Sequence, residues 1–107
     1  MAKGMGNLNK LMKQAQEMQT KMARIQEDLE NHMVEASSGG GTVTVTMNGK
    51  MVMQSIKIKP EAVDPEDVDM LEDLIMAAVG EAHRKAGELA QEQMSKATGG
   101  MNLPGMF

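Results

Sequence analysis

Apolar residues in the first third of the chain recur at alternating spacings of three and four positions, the period of one face of an α-helix. Good helix formers fill the positions between them, and from residue 7 onward the stretch contains neither glycine nor proline. The pattern predicts one long helix over residues 6–33, with a continuous apolar seam of the coiled-coil type. The seam consists of Leu8, Leu11, Ala15, Met18, Met22, Ile25 and Leu29.

The period changes to that of a β-strand after the segment SSGGG at 37–41, which breaks the helical pattern. The next segment, TVTVTM, alternates strictly between apolar and polar residues and predicts a strand at 42–48. A third, shorter strand is predicted at 33–37 (MVEAS), before the glycines.

A tight hairpin is predicted to follow. Asn48-Gly49 is a strong hairpin signal, because a two-residue type I′ turn needs a positive φ at both central positions. The returning segment KMVMQSIKIK predicts a strand at 50–59. A two-residue loop pairs Val45 with Val52, which places the apolar residues of both strands on one face of the sheet.

A second long helix is predicted at 65–97. Pro60 ends the sheet, and Asp64 followed by Pro65 is typical of a helix start, with aspartate as the N-cap and proline at the first helical position. Two glycines after residue 98 end the helix. Its apolar stripe consists of Leu71, Ile75, Ala78, Ala82, Ala86 and Leu89.

The predicted fold class is α+β, an α-β-β-β-α domain over residues 1–97 with a three-stranded antiparallel sheet, followed by an apolar tail at 98–107 that contains glycine and proline. The helices should reach about 42 and 50 Å, whereas strands of five to nine residues span about 17–30 Å. Both helices should therefore protrude beyond the sheet with part of their apolar stripes uncovered. A homodimer would cover them.

The composition excludes several kinds of chemistry. The chain has 14 methionines and no tryptophan, tyrosine or cysteine, so disulfides, thiolate nucleophiles and cysteine-ligated zinc are absent. No apolar run approaches the roughly 20 residues that span a bilayer, and the N-terminal segment lacks the apolar region of a signal peptide. We expect a cytoplasmic protein without a membrane partner.

The net charge of −4 conceals an uneven distribution. Residues 1–26 carry five basic residues against one glutamate, residues 27–81 carry twelve acids against three lysines, and residues 82–107 carry three basic residues against two glutamates. Basic helical faces neutralise phosphates without reading bases, although such charges can also simply solvate a helix. If the two helices leave the sheet on the same side, the basic segments meet at its far end. The candidate DNA-binding residues are Lys3, Lys10, Lys13, Lys21, Arg24, Arg84, Lys85 and Lys96.

Four stretches of the sequence, taken together, are specific enough to indicate a protein family: GNLNKLMKQAQEMQTKM, GGGTVTVTMNGKMVMQSIKI, EDVDMLEDLI and MSKATGGMNLPGM. With them the chain resembles the YbaB/EbfC family of bacterial nucleoid-associated proteins along essentially its whole length. The resemblance implies a tweezer-like homodimer with protruding helices that binds double-stranded DNA with little sequence preference. It also implies that the protein alters DNA conformation and contributes to nucleoid organisation and gene regulation.

The third strand departs from the family's GKGEV-like pattern, because Met51 and Met53 stand where smaller or polar residues are expected. They would make the outer face of the hairpin, with Thr44 and Thr46, more apolar than a solvated surface. We interpret them as additional interface, and a tolerated apolar surface is the alternative. The residues expected in the dimer interface are Leu8, Leu11, Met18, Met22, Ile25, Met51 and Met53.

Enzymatic chemistry finds little support in the sequence. His32 and His83 lie on different predicted helices without a nucleophile motif around them, and the acid-rich EDVDMLED suits a helix N-terminus better than a calcium loop. The glycines at 39–41 lack the lysine and serine or threonine of a phosphate-binding loop. We predict no catalytic residue, metal, cofactor or small-molecule substrate.

The alternative function is a protein-interaction adaptor of the DNA repair or replication machinery, which would use the methionine-rich surface and the tail. The tail itself has three interpretations. Met101, Leu103 and Phe107 could fold back over the exposed helix seam, bind a partner protein, or insert between base steps of DNA as in architectural proteins.

Overall fold

The computed structural model describes residues 2–97, and side chains from residue 7 onward. The order of its elements confirms the α-β-β-β-α layout with a three-stranded antiparallel sheet and two long helices. Predictions for the tail at 98–107 and for the side chain of Lys3 lie outside the described residues. The elements are helix α1 (Ala2–Asn31), strands β1 (Met33–Ser38), β2 (Val43–Asn48) and β3 (Met53–Ile58), helix α2 (Val68–Ala97), and the 3₁₀ turns Gly39–Gly41 and Pro60–Ala62.

One face of the sheet packs against α2, which lies over β1 and β2. The buried helix positions are alanines, whose small side chains allow the helix to approach the sheet closely, and they lie on the predicted stripe. Leu71 and Ile75 of that stripe are partly buried beside them. The buried core residues are Ala36, Val43, Val45 and Met47 from the sheet, Ala62 after it, and Ala78, Ala82 and Ala86 from the helix.

The β2–β3 turn differs from the predicted type I′ turn. The N–H of Asn48 donates to the carbonyl of Val52 at 3.0 Å, and the positive φ, 65°, belongs to Met51. Gly49 has no positive φ. The side-chain oxygen of Asn48 accepts the N–H of Val52 at 3.0 Å, which stabilises the longer loop. The prediction of a two-residue loop that pairs Val45 with Val52 is therefore wrong.

The longer loop and a bulge change the faces of β3. Val45 lies opposite Ile56, and Met53 lies opposite Met47, with the register shift between these pairs at Gln54. Because a bulge adds one residue to one strand, it moves Met53 to the helix-covered side of the sheet. Met51 also reaches this side, because its Cε would lie 3.4 Å from a Cβ on Gly87 of α2. The expectation that Met51 and Met53 belong to the outer face is therefore wrong.

Gly49 joins the hairpin to α1. Its N–H donates to the carbonyls of Leu29 at 2.8 Å and His32 at 3.0 Å, at the C-terminal end of α1. A Cβ on Gly49 would lie 2.7 Å from Leu29 Cδ2 and 2.9 Å from the Leu29 carbonyl oxygen. Glycine is thus required at position 49 for close approach between backbones.

The N-terminus of α2 is capped later than predicted. The side chain of Asp67 accepts the N–H of Met70 at 3.2 Å, so Asp67 is the residue that satisfies a free helical donor. Asp64 instead accepts the N–H of Glu66 at 2.9 Å in the preceding turn. The helix therefore begins at Val68, and the prediction of Asp64 as its N-cap is wrong.

The molecule is elongated, with extents of 78 × 23 × 17 Å and a radius of gyration of 20.9 Å, against about 13 Å for a compact chain of this length. Its second cluster joins the helices: Ile25 and Leu29 of α1 are buried against Ala97, with Leu89 and Met94 of α2 beside them. The part of α1 that precedes this contact protrudes. Every residue at 7–20 is exposed, and this segment is called the arm below.

Candidate nucleic-acid interface

The arm and the adjoining turn of α1 carry a basic face. At 3.6 residues per turn, Lys10, Lys13, Lys21 and Arg24 fall within a sector of about 80° around the helix axis. All four side chains are exposed, Glu17 lies among them in the same sector, and Asp28 lies in that sector one turn beyond Arg24. Across the described side chains, no carboxylate forms an ion pair with any of the four. This face therefore presents a net positive charge to solvent.

Lys21 marks the place where the arm meets the rest of the fold. Its Nζ donates to the carbonyl of Ala97 at 3.2 Å. This carbonyl belongs to the last described turn of α2, which lies at the negative end of the helix dipole. Lys21 therefore both contributes to the basic face and ties α1 to the end of α2.

The basic residues of α2 are compensated locally. Arg84 pairs with Glu81 and Glu88 on the same helix, and Lys96 lies 3.5 Å from Glu92. The hydrogen bond from Arg84, reinforced by its charge, lowers the pKa of Glu81 from its usual value. Exposed pairs of this kind are weak, because water and salt screen them. They reduce the net charge around each cation while leaving it accessible.

Arg84 and Lys85 also lie far from the arm. Lys85 Nζ donates to the carbonyl of Glu35 in β1 at 2.8 Å, which places it beside the sheet. Thirteen residues of helix, about 20 Å, separate Arg84 from Ala97. The expectation that these two residues meet the basic segment of α1 beyond the sheet is wrong. Of the three candidate residues on α2, Lys96 is the one that lies near the contact with the arm.

The surface around the basic face is open. Shallow hollows follow α1 and are lined by Gln14, Glu17, Met18 and Lys21, or by Asn7 and neighbouring residues. Within residues 7–97, no three histidine or acidic side chains gather as metal ligands. Neither of the two described helices is long and apolar enough to cross a membrane. An exposed convex face suits an extended polyanion better than a small ligand.

Comparison with known proteins agrees with this charge pattern. Residues 5–101 match the model of the YbaB/EbfC DNA-binding family. The chain belongs to the YbaB/EbfC DNA-binding family. A nucleoid-associated protein of Alkaliphilus metalliredigens is 58% identical over 107 residues, covering 97% of this chain and 94% of the relative. One of Ruminiclostridium cellulolyticum is 58% identical over 103 residues, covering 95% and 90%. YbaB/EbfC is a DNA-binding family and not an enzyme family.

A solved structure supports the same architecture. An uncharacterised protein from Helicobacter pylori superposes with a TM-score of 0.75 over 82% of this chain and 92% of its own, at 19% sequence identity. At that identity the likeness concerns the fold of this YbaB/EbfC chain and nothing finer.

The residues expected in the dimer interface separate into three groups. Leu8, Leu11 and Met18 are exposed on the arm. Met22 and Ile25 pack against α2 of the same chain, and Ile25 is only 8% exposed. The third group, Met51 and Met53, is 40–42% exposed beside β3.

Two exposed residues of β3 were not anticipated from the sequence. Ile56 and Ile58 share the helix-covered side of the sheet with Val43 and Val45, yet they are 40% and 37% exposed. A helix about 10 Å across covers two strands spaced about 4.8 Å apart, and α2 lies over the other two. The relative widths of one helix and three strands could have indicated this uncovered strip.

Proposed function

We propose that this chain is a nucleoid-associated protein that binds double-stranded DNA largely without sequence preference through the basic faces of its arms. The observation that carries the proposal is the net positive charge of one exposed face of α1. Lys10, Lys13, Lys21 and Arg24 lie on this face together with Glu17. Membership of a DNA-binding family supports it independently. The side chains proposed to contact DNA are Lys3, Lys10, Lys13, Lys21, Arg24, Arg84, Lys85 and Lys96, of which those on α1 contribute most.

Backbone neutralisation is the proposed mechanism. Lysine and arginine displace counterions condensed on the duplex, which gives affinity that depends on salt and carries no sequence information. The acids at the C-terminal end of α1 and around the start of α2 repel phosphate, and so direct the duplex to the arms. Non-specific binding of this kind has a dissociation constant of about 10⁻⁴ to 10⁻⁶ M at physiological salt.

A homodimer is the second part of the proposal, and the uncovered strip of β3 is its proposed interface. Met53, Ile56 and Ile58 form an apolar surface on the side of the sheet that carries α2. The backbone edge of β1 is partly covered, because Lys85 occupies the carbonyl of Glu35. A second copy over β3 would bury a strip that the protomer leaves in water.

The neighbouring side of α2 supports the same interface. Met76, Gly80, His83 and Gly87 follow a 4-3-4 spacing on the side of α2 turned away from β1, and none is an aspartate, glutamate, lysine or arginine. Met76 is 72% exposed, and a Cβ on Gly80 would meet no atom within 4 Å. Gly80 would allow a partner helix to approach α2 closely. Gly87 is already faced by the same chain, because a Cβ there would lie 3.4 Å from Met51 Cε.

Light scattering after size-exclusion chromatography tests the interface. Ile56→Lys puts a charge on the helix-covered side of β3 and should shift the mass from dimer to monomer. Ser55→Lys is the matched control, since it puts the same charge on the opposite face of the same strand. A dimer that survives Ile56→Lys and dissociates with Ser55→Lys would place the interface on the other face.

Fluorescence anisotropy on two labelled duplexes of unrelated sequence tests DNA binding. Titrations at about 50, 100 and 200 mM salt should give similar affinities for both duplexes and a log–log slope of about −4 to −7, corresponding to four to eight phosphates. A strong preference for one duplex would refute non-specific binding. Absence of binding at the lowest salt would refute the proposal as a whole.

The proposed cellular role is to alter DNA conformation in the bacterial nucleoid, within the cytoplasm, and so to influence gene regulation. Relatives that share over half of this sequence are named nucleoid-associated proteins, which supports this location. In a dimer, two arms could each bind a stretch of duplex. A circularisation assay with short duplex fragments would detect DNA bending, and no change in ring yield would contradict a bending role.

A further inference from the structure

The described residues leave one apolar face of the arm uncovered. Leu8 is 57% exposed, Leu11 is 61% exposed and Met18 is 42% exposed, and all three lie on the apolar seam of α1. Farther along the same seam, Ile25 and Leu29 are buried against α2. One continuous seam is therefore covered by a helix near the sheet and open along the arm.

The covered part of the seam shows which helix direction it accepts. α1 runs towards the sheet, since the carbonyl of Leu29 near its end accepts the N–H of Gly49 in the hairpin. α2 runs away from the sheet, from Ala78 in the core to Ala97, whose carbonyl accepts a hydrogen bond from Lys21. The seam therefore packs against an antiparallel helix, and α2 ends where the arm begins.

The open part of the seam is complementary to itself in the same direction. Leu8, Leu11, Ala15 and Met18 follow a 3-4-3 spacing, which is the same from either end. Two antiparallel arms would place Leu8 of one copy beside Met18 of the other, and Leu11 beside Ala15. Each contact would occur twice about a two-fold axis, which is the defining property of an isologous interface.

Charge does not oppose the pairing of two arms. The positions that flank a coiled-coil seam decide the choice of partner, and like charges there keep identical helices apart. Along the arm these flanking positions are uncharged in this chain, and they are Asn7, Met12, Gln14 and Gln19. The seam and both of its borders are therefore suited to a second copy of themselves.

We propose that the open seam packs antiparallel against the same seam of an arm from a neighbouring dimer, and that the paired arms bridge two DNA duplexes. The partner's arm would continue the line of α2 along the seam. A parallel arm does not fit, because beyond residue 21 its helix would enter the space that α2 occupies. The bridging role rests on the proposed DNA binding and on the proposed dimer at β3.

Bridging follows from the direction of the basic faces. Lys10 and Lys13 lie at least about 120° around the helix from the centre of the seam. Pairing through the seams would therefore turn the two basic faces to opposite sides of the arm pair, about two helix diameters or 20 Å apart. Each face would then meet a different duplex, and the arm contact would hold the two duplexes together.

Sedimentation of the protein without DNA tests the arm contact by itself. A seam of two heptads is short, so association beyond the dimer should appear as the concentration is raised above that used for chromatography. Leu8→Gln with Leu11→Gln should weaken this association at least about 10-fold, because buried leucine surface is lost. Val63→Gln with Met70→Gln is the matched control, since these exposed apolar side chains lie away from the arm, and should have no effect.

The sedimentation outcomes separate the two interfaces. Ile56→Lys should keep the association that depends on the arm at high concentration, whether or not β3 forms the dimer. A parent protein that stays at the mass of a dimer at every concentration would overturn the arm contact. Equal losses in the arm variant and in its control would overturn it as well.

A spin label tests the direction of pairing. The chain contains no cysteine, so Thr20→Cys gives a single attachment site on a side of the arm turned away from the seam. In an antiparallel pair, Leu8 of the second copy lies about 3 Å from Thr20 along the axis, and Met18 about 18 Å. Mixed with ¹⁵N chains that lack the nitroxide, labelled chains should broaden the amide signal of Leu8 more than that of Met18. The reverse order, or no broadening of either signal, would overturn the antiparallel arrangement.

A capture assay tests bridging. Beads that carry one duplex should retain a second, fluorescent duplex in the presence of the parent protein. Leu8→Gln with Leu11→Gln should reduce this capture at least about 10-fold, while the affinity for a single duplex in anisotropy stays within about threefold. Equal losses of capture and affinity would overturn bridging through the arms. A parent that binds neither duplex would instead refute the proposed function, and sedimentation would still decide the arm contact.

Discussion

Replacing Gly49 with alanine tests whether the hairpin is joined to α1 by a contact that excludes a side chain. The added methyl group would lie 2.7 Å from Leu29 Cδ2, a flexible atom, but also 2.9 Å from the Leu29 carbonyl oxygen, which belongs to the helix backbone. The helix and the turn must therefore move apart. Such movement strains or breaks the hydrogen bonds from the Gly49 N–H to Leu29 and His32.

The expected cost combines two effects. Forcing extra volume into a packed contact costs about 1–3 kcal/mol, and weakening the shared hydrogen bond costs about 1 kcal/mol more. Together they should lower the free energy of unfolding by about 2–4 kcal/mol. For a domain of this size the Tm should fall by about 10–20 °C, measured by far-UV circular dichroism at matched protein concentration.

Replacing a second glycine with alanine separates the effect of steric crowding from the effect of backbone conformation. Gly40 has a φ of 67°, but a Cβ there would meet no atom within 4 Å. Gly40→Ala should therefore cost only the strain of a left-handed alanine, about 1 kcal/mol. A Gly49→Ala variant that melts within about 3 °C of the parent, or no lower than Gly40→Ala, would refute the close-approach explanation.

Three further substitutions test the elements around the core. Asp67→Ala should lower stability by about 1 kcal/mol through loss of the N-cap of α2, measured by urea denaturation. Ala82→Leu should cost about 1–3 kcal/mol by separating α2 from the sheet, whereas the same change at exposed Ala77 should be nearly neutral. Because Arg84 lowers the pKa of Glu81 in the folded chain, Glu81 stabilises the fold above its unfolded pKa. Glu81→Gln should therefore lower the Tm slightly near neutral pH, and the difference should vanish as pH falls through the folded pKa.

The sequence predicted the architecture where periodicity decides it. The alanine stripe at Ala78, Ala82 and Ala86 faces the core as expected, because the helical period is enforced by burial. Short sequence motifs gave a wrong prediction where a tertiary contact determines the backbone conformation. Gly49 indicated a type I′ turn, but close approach to Leu29 is what requires the glycine.

The face that Met53 occupies and the position of Lys85 could not be predicted from the sequence, because both depend on tertiary structure. A bulge at Gln54 moved Met53 across the sheet, and nothing in the alternation of β3 signals a bulge. The exposed lysines of the arm could be chosen from the sequence, since an overhanging helix has no neighbours. The distance of Lys85 from the arm could not, because it depends on where α2 crosses the sheet.

Charge reversal on the arm tests the central claim most directly. DNA affinity should be measured by anisotropy at about 50, 100 and 200 mM salt for the parent, for Lys10→Glu with Lys13→Glu, and for Lys50→Glu with Lys59→Glu. Both variants change the net charge equally, but Lys50 and Lys59 lie beside β3 and away from the arm. The arm variant should bind at least about 10-fold more weakly with a shallower salt slope, and the control should stay within about twofold of the parent. Equal losses in both variants, or no loss in either, would contradict binding through the basic face of the arm.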